Sequence, residues 1–186
     1  MITTVPNLLT MSRILVLPAL IASFYMEGPS SNWLALVVFV AAGLTDFLDG
    51  YIARATGQQS KLGQFMDPVA DKLLVVTALL MLSGVGRISE LDLIAAIIIL
   101  CREVMVSGLR EFLAGLEVSV PVTRLAKWKT TVQITAIAFL LLGDAAPWGI
   151  DAVMIGIIGL WIAASLTLYT GYDYLKAGLA HMTSEA

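Results

Sequence analysis

Apolar residues run along this chain in six long blocks and do not alternate with polar ones. The blocks fall at about 7–26, 32–54, 62–83, 91–115, 124–143 and 150–175. Between them stand Glu27-Gly28-Pro29-Ser30, Thr56-Gly57-Gln58-Gln59-Ser60, Gly84-Val85-Gly86, Val118-Ser119-Val120-Pro121 and the segment from Gly143 to Gly149. Glycine ends helices through its backbone freedom and proline through its missing donor, so each of these is a break. Blocks this long, without a period of two, predict helices and not strands. At about 20 residues per span, six membrane helices use about 120 residues and leave short connections. A helix also satisfies its own backbone in lipid. The expected fold class is therefore an all-α integral membrane protein with six transmembrane helices, forming one domain over residues 1–186.

Composition sharpens this picture. Hydrophobic residues make up 59% and charged residues 13%, against about 25% charged in soluble domains. Disorder is excluded, and an ordinary soluble enzyme is disfavoured. The formal net charge of −3 supplies no basic field for a nucleic-acid partner. The single cysteine, Cys101, is expected to be an inert buried thiol, and no Cys/His cluster has zinc spacing. The N-terminus lacks the basic stretch and cleavage site of a secretory signal, so Met1 onward is expected to be mature protein.

The basic residues orient the helices. With the N-terminus inside, Arg13, Arg54, Lys61, Lys72, Arg110, Arg124, Lys127, Lys129 and Lys176 lie near cytoplasmic helix ends, nine of the eleven. Arg87 falls in an outer loop and Arg102 within a span, while Glu27, Glu90, Asp92, Asp144 and Asp151 lie outside. This asymmetry predicts an N-in, C-in topology. Trp33, Trp148 and Tyr174 near span ends fit an interfacial aromatic belt. Ala41, Ala42, Gly43, Gly156 and Gly159 read as helix-packing positions.

The chemistry lies in the acids of the second and third spans. Asp46, Asp49, Asp67 and Asp71 interrupt otherwise apolar helices, where an unpaired charge costs several kcal/mol. At about 100° per residue, Asp46, Asp49, Gly50 and Ala53 share an arc of roughly 100°, with Arg54 just beyond. Asp67 and Asp71 are one turn apart, and the short loop near 55–62 brings both pairs to the cytoplasmic end of one hairpin. Four carboxylates together repel unless protonated or bridged by cations. Oxygen-only ligands suit hard ions such as Mg²⁺ or Mn²⁺. Gly50, Ala53 and Gly63 remove bulk beside them, and the sum is a two-metal site for phosphate chemistry. A plainer reading stands beside this for Asp67: followed by Pro68, it has the pattern of a helix N-cap with proline at the first helical position. Taken singly, Arg54 and Lys61 fit interfacial anchoring.

The spacing Asp46-x-x-Asp49-Gly50-x-x-Ala53-Arg54, eight residues, Gly63, three residues, Asp67, three residues, Asp71 resembles the signature of the CDP-alcohol phosphotransferases. The resemblance implies that family's six-helix fold, a homodimer, and transfer of a phosphatidyl group from a CDP-linked lipid to an alcohol. It implies two divalent cations, Mg²⁺ or Mn²⁺, among Asp46, Asp49, Asp67 and Asp71, with Asp71 also as general base. It further implies CDP-lipid contacts from Gly50, Arg54, Ser60 and Gly63, with Asn7 and Thr10. The site would face the cytoplasm from a bacterial inner membrane.

Outside the signature, Pro6–Arg13, Asp67–Lys72, Arg102–Glu111 and Lys127–Gln133 resemble the branch of that family using CDP-diacylglycerol and glycerol 3-phosphate. An anionic acceptor suits the basic residues: Arg102, Arg110, Lys127 and Lys129 are candidates to hold its phosphate, Arg through paired donors and Lys as a point charge. Interfacial anchoring remains open for Lys127 and Lys129. An ion pair with Glu103, Glu111 or an active-site Asp remains open for Arg102. Within the family, inositol phosphate, serine and phosphatidylglycerol also stand open as acceptors; inositol phosphate would keep the basic cluster occupied, whereas serine or a neutral alcohol would not. The rival from another class is a divalent-cation or proton-coupled transporter, which predicts acids near the membrane midplane.

Overall fold

The computed structural model describes residues 5–56, 61–115 and 124–184, all in helices and short connections. The helices are α1 (Val5–Ser23), α2 (Pro29–Thr56), α3 (Lys61–Gly84), α4 (Asp92–Gly115), α5 (Arg124–Leu142) and α6 (Ala152–Ser184). Two 3-10 turns, Gly143–Ala145 and Pro147–Gly149, link α5 to α6. Each apolar block is thus a helix. The stretch after residue 175 continues α6 as far as Ser184.

Ala152–Lys176 is long and apolar enough to cross a membrane by length and composition, and Leu9–Ser23 and Pro29–Thr45 are shorter apolar stretches. In α2, α3 and α4 the charges at Asp46, Asp49, Asp67, Asp71, Arg102 and Glu103 interrupt the apolar run. Large apolar side chains nevertheless face outward on every helix, among them Leu15, Val37, Leu80, Val104, Trp128 and Ile158. Contiguous exposed apolar surface marks a site for lipid or protein contact.

The helices group into two compact units. The first comprises residues 1–87 and 138–153. Within it α1 packs on α2 and α3, and α2 also meets the Gly143–Ala145 turn. Its core stripe on α3 is Ala70, Leu74, Ala78, Leu79 and Leu82, the spacing of one helix face. The second unit comprises residues 88–137 and 154–186. Its α6 stripe runs from Leu160 through Ala163, Ala164, Thr167 and Thr170 to Tyr174. A Cβ at Gly159 would lie 2.9 Å from the Ala136 Cβ, so this glycine permits a close helix approach. Gly43, read from sequence as a packing position, has nothing within 4 Å. Cys101 is exposed, contrary to expectation; it adjoins buried Arg102, and that register turns it outward.

A clasp built on Arg87 holds the first unit together. Gly86, with φ +74°, ends α3: its N–H bonds the Ser83 carbonyl, and the Arg87 N–H bonds the Leu82 carbonyl, a Schellman closure. The Arg87 side chain then donates from Nη1 to the carbonyls of Leu140 and Leu141 at 3.0 and 2.8 Å, and from Nη2 to Asn32 Oδ1 at 2.7 Å. These are terminal α5 carbonyls, which a cation at a helix C-terminus satisfies. Burial pushes the guanidinium below its ordinary value, and the Asp144 carboxylate acts in the opposite direction. Arg87→Met is expected to destabilise by about 3 kcal/mol, the scale of lost charge-assisted hydrogen bonds. Gly143→Ala should lower the thermal midpoint in detergent too, because φ is +51° and its Cβ would sit 2.7 Å from Arg87 Cζ. Unchanged midpoints in both variants would show the clasp to be idle.

Candidate active site

The signature acids lie on α2 and α3, both in the first unit. Ser60 lies outside the described residues, and of Asn7, Asp46, Asp49, Gly50 and Arg54 only the helical backbone is described. Asp46, Asp49, Gly50 and Arg54 fall in the last three turns of α2, so the helical spacing assumed for them holds. Asp67 and Asp71 sit one turn apart within α3, and Gly63 is buried in its first turn.

The N-cap reading of Asp67 is overturned. The helix starts at Lys61, six residues earlier, and Pro68 is inside it. A proline there has no N–H to bond the carbonyl four residues back. Lys72 Nζ donates to the Pro68 carbonyl at 2.9 Å.

Asp67 is held from α1. Thr10 Oγ1 donates to Asp67 Oδ1 at 2.5 Å, and Arg13 Nη2 lies 3.8 Å from the same oxygen. Thr10 and Arg13 are each only 1% exposed, whereas the Asp67 side chain is 45% exposed. Residues three apart share a helix face, so both reach Asp67 from one stripe of α1. Arg13, counted from sequence among the basic residues near cytoplasmic helix ends, is a buried partner of a signature acid. Its distance from Asp67 along the chain hid this role. Among the described residues no three acids, histidines or cysteines stand close enough to form a complete metal site. The carboxylate donors themselves suit hard divalent ions.

The candidate phosphate-binding basics lie in the second unit, on α4 and α5. Arg110 and Lys127 are exposed, whereas Arg102 is 7% and Lys129 4% exposed. Lys129 Nζ bonds Glu103 Oε1, and Arg102 Nη1 lies 3.8 Å from that oxygen. Arg102 Nη2 donates to Thr170 Oγ1 at 3.0 Å, and its guanidinium lies 5.9 Å from the Tyr174 ring centroid. Tyr174 is therefore buried under a cation and is not part of an aromatic belt. Gly171 makes room for the arginine, since a Cβ there would lie 3.0 Å from Arg102 Cγ. The Arg102–Glu103 pairing considered from the sequence is present. Glu103 also holds Lys129, a contact that sequence reading missed because the two residues lie on different helices. Arg102 Nε, Gln133 Oε1 and Thr167 Oγ1 are buried without a hydrogen-bond partner among the described residues.

The profile of the CDP-alcohol phosphatidyltransferase family matches residues 3–169, spanning both units. The chain is 48% identical over 172 residues to a Rickettsia bellii protein named CDP-diacylglycerol–glycerol-3-phosphate 3-phosphatidyltransferase, covering 92% of this chain and 93% of that one. It is 38% identical to a Cereibacter sphaeroides protein of the same name, with 98% of each chain covered. A cardiolipin synthase (CMP-forming) from Oryza sativa is 37% identical, with 93% of this chain and 56% of that one covered.

Proposed function

This chain belongs to the CDP-alcohol phosphatidyltransferase family, and from that premise we propose that it transfers the phosphatidyl group of CDP-diacylglycerol to the 1-hydroxyl of glycerol 3-phosphate. The products are phosphatidylglycerophosphate and CMP. The observation that carries this reading is the near-full-length likeness to bacterial proteins named for that transfer, joined to the complete acidic signature on α2 and α3.

In this reading the six helices span a bacterial inner membrane, N-in and C-in, as one catalytic domain of a homodimer. The outward apolar side chains and the asymmetric basic residues support it. Asp46, Asp49, Asp67 and Asp71 would hold two Mg²⁺ or Mn²⁺ ions at the cytoplasmic face. Those ions would offset the charge of the diphosphate and of the departing CMP. Gly50, Arg54, Ser60 and Gly63, with Asn7 and Thr10, contact the CDP-lipid. Asp71 accepts the proton of the acceptor's 1-hydroxyl as that oxygen attacks the lipid-side phosphorus and the bond to CMP breaks. No nucleophilic side chain takes part. Exposed Arg110 and Lys127, with Arg102 and Lys129 deeper in the second unit, hold the acceptor's phosphate.

The test is CMP release by purified protein in detergent, with CDP-diacylglycerol, a divalent ion and one acceptor at a time. Release is expected with glycerol 3-phosphate, to stop with chelator, and to return on adding Mg²⁺ or Mn²⁺. Release with phosphatidylglycerol alone would move the assignment to that acceptor. Release with inositol phosphate alone would likewise overturn the acceptor while keeping the chemistry. No release with any acceptor would sink the transferase reading.

A further inference from the structure

Two contacts from α1 fall on one oxygen of Asp67. The Thr10 hydroxyl and the Arg13 guanidinium both address Oδ1, and among the described residues no contact falls on Oδ2. Both partners are buried to 1% exposure while the carboxylate is half open. A free Asp carboxylate rotates about its terminal torsion, and its two oxygens exchange places. With a short hydrogen bond and a cation on Oδ1, that rotation is stopped, and Oδ2 is the oxygen without a contact among the described residues. Groups that bind a ligating carboxylate in this way set its orientation and thereby the affinity of the ion it holds.

We infer that Thr10 and Arg13 are positioning residues for Asp67, holding its Oδ1 so that Oδ2 is left to a divalent cation. It rests on the metal-dependent transfer proposed above. Thr10 then acts through Asp67, and Arg13 serves the same carboxylate. The geometry also explains why an arginine is tolerated in the core stripe of α1, where an unpaired charge would be costly.

The roles separate in a metal-binding measurement without substrate, using the full-length protein in detergent and the electron paramagnetic resonance of free Mn²⁺. Thr10→Val should weaken Mn²⁺ binding about ten-fold, and Thr10→Ser, which keeps the hydroxyl, should restore it. Arg13→Lys keeps the charge and loses the fork, so several-fold weakening reports geometry and not net charge. In an Asp67→Asn background neither substitution should weaken binding further. Thermal midpoints identify any variant that fails to fold, and Arg13→Lys and Thr10→Ser then carry the comparison. If Thr10→Val binds Mn²⁺ as tightly as the unsubstituted chain, or weakens it equally when Asp67 is already Asn, the positioning role is wrong. If Asp67→Asn itself leaves Mn²⁺ binding unchanged, the metal reading of Asp67 fails first, and the two failures are distinguishable.

Discussion

Asp71→Asn is expected to lower CMP release by about 10³-fold or more, on the scale of removing a general base. Asparagine keeps the shape and one oxygen donor at this position, one turn beyond Asp67 on α3, but its amide accepts no proton at neutral pH. The acceptor hydroxyl then has to attack while still protonated. Binding of the CDP-lipid should survive in part, because Asp46, Asp49 and Asp67 remain. Two assays on one preparation check this: CMP release for turnover, and retention of labelled CDP-diacylglycerol for binding. Turnover within ten-fold of the unsubstituted chain would remove Asp71 from the role of base. Equal loss of binding and turnover would make it a ligand only.

The second large effect is on stability. Glu103→Leu should destabilise the protein by about 3–5 kcal/mol, the range for removing one member of a buried ion pair. Glu103 Oε1 faces both Lys129 and Arg102, and both cations lie in the buried stripes of α5 and α4. Without the carboxylate the two charges repel each other in a medium that solvates them poorly. Arg102 keeps Thr170 and the Tyr174 ring. The double variant Glu103→Leu/Lys129→Met should therefore recover much of the loss, since it removes the pair and leaves a hydrophobic contact. Denaturation midpoints of the two single variants and the double variant form the cycle. A double variant no more stable than Glu103→Leu would show that the pair is not what holds these helices.

The parts of this molecule that could be read early are those written in short sequence intervals. Six helices follow from continuous apolar blocks and from breaks such as Gly84-Val85-Gly86, whose Gly86 does adopt the positive φ a helix end requires. The acid spacing from Asp46 to Asp71 was legible for the same reason, as helical periodicity converts intervals of three and four into a shared face. Local rules also misled. Asp67-Pro68 has the form of a helix start, yet α3 already runs from Lys61, because packing against α1 outweighs a one-residue preference. Tyr174 stands near a span end like a belt residue, but its ring is buried beneath the Arg102 guanidinium, for which Gly171 leaves room.

The helical class, the order of the helices and the family to which the acids belong follow from local sequence, since each depends on residues close together in the chain. Tertiary structure alone decided the partners of the buried charges. Thr10 and Arg13 meet Asp67 across some fifty residues of chain, Lys129 meets Glu103 from another helix, and Arg87 ties Asn32 to the end of α5. A buried charge must find its counter-charge or donor wherever the folded helices bring one within about 4 Å, and sequence separation places no limit on where that is.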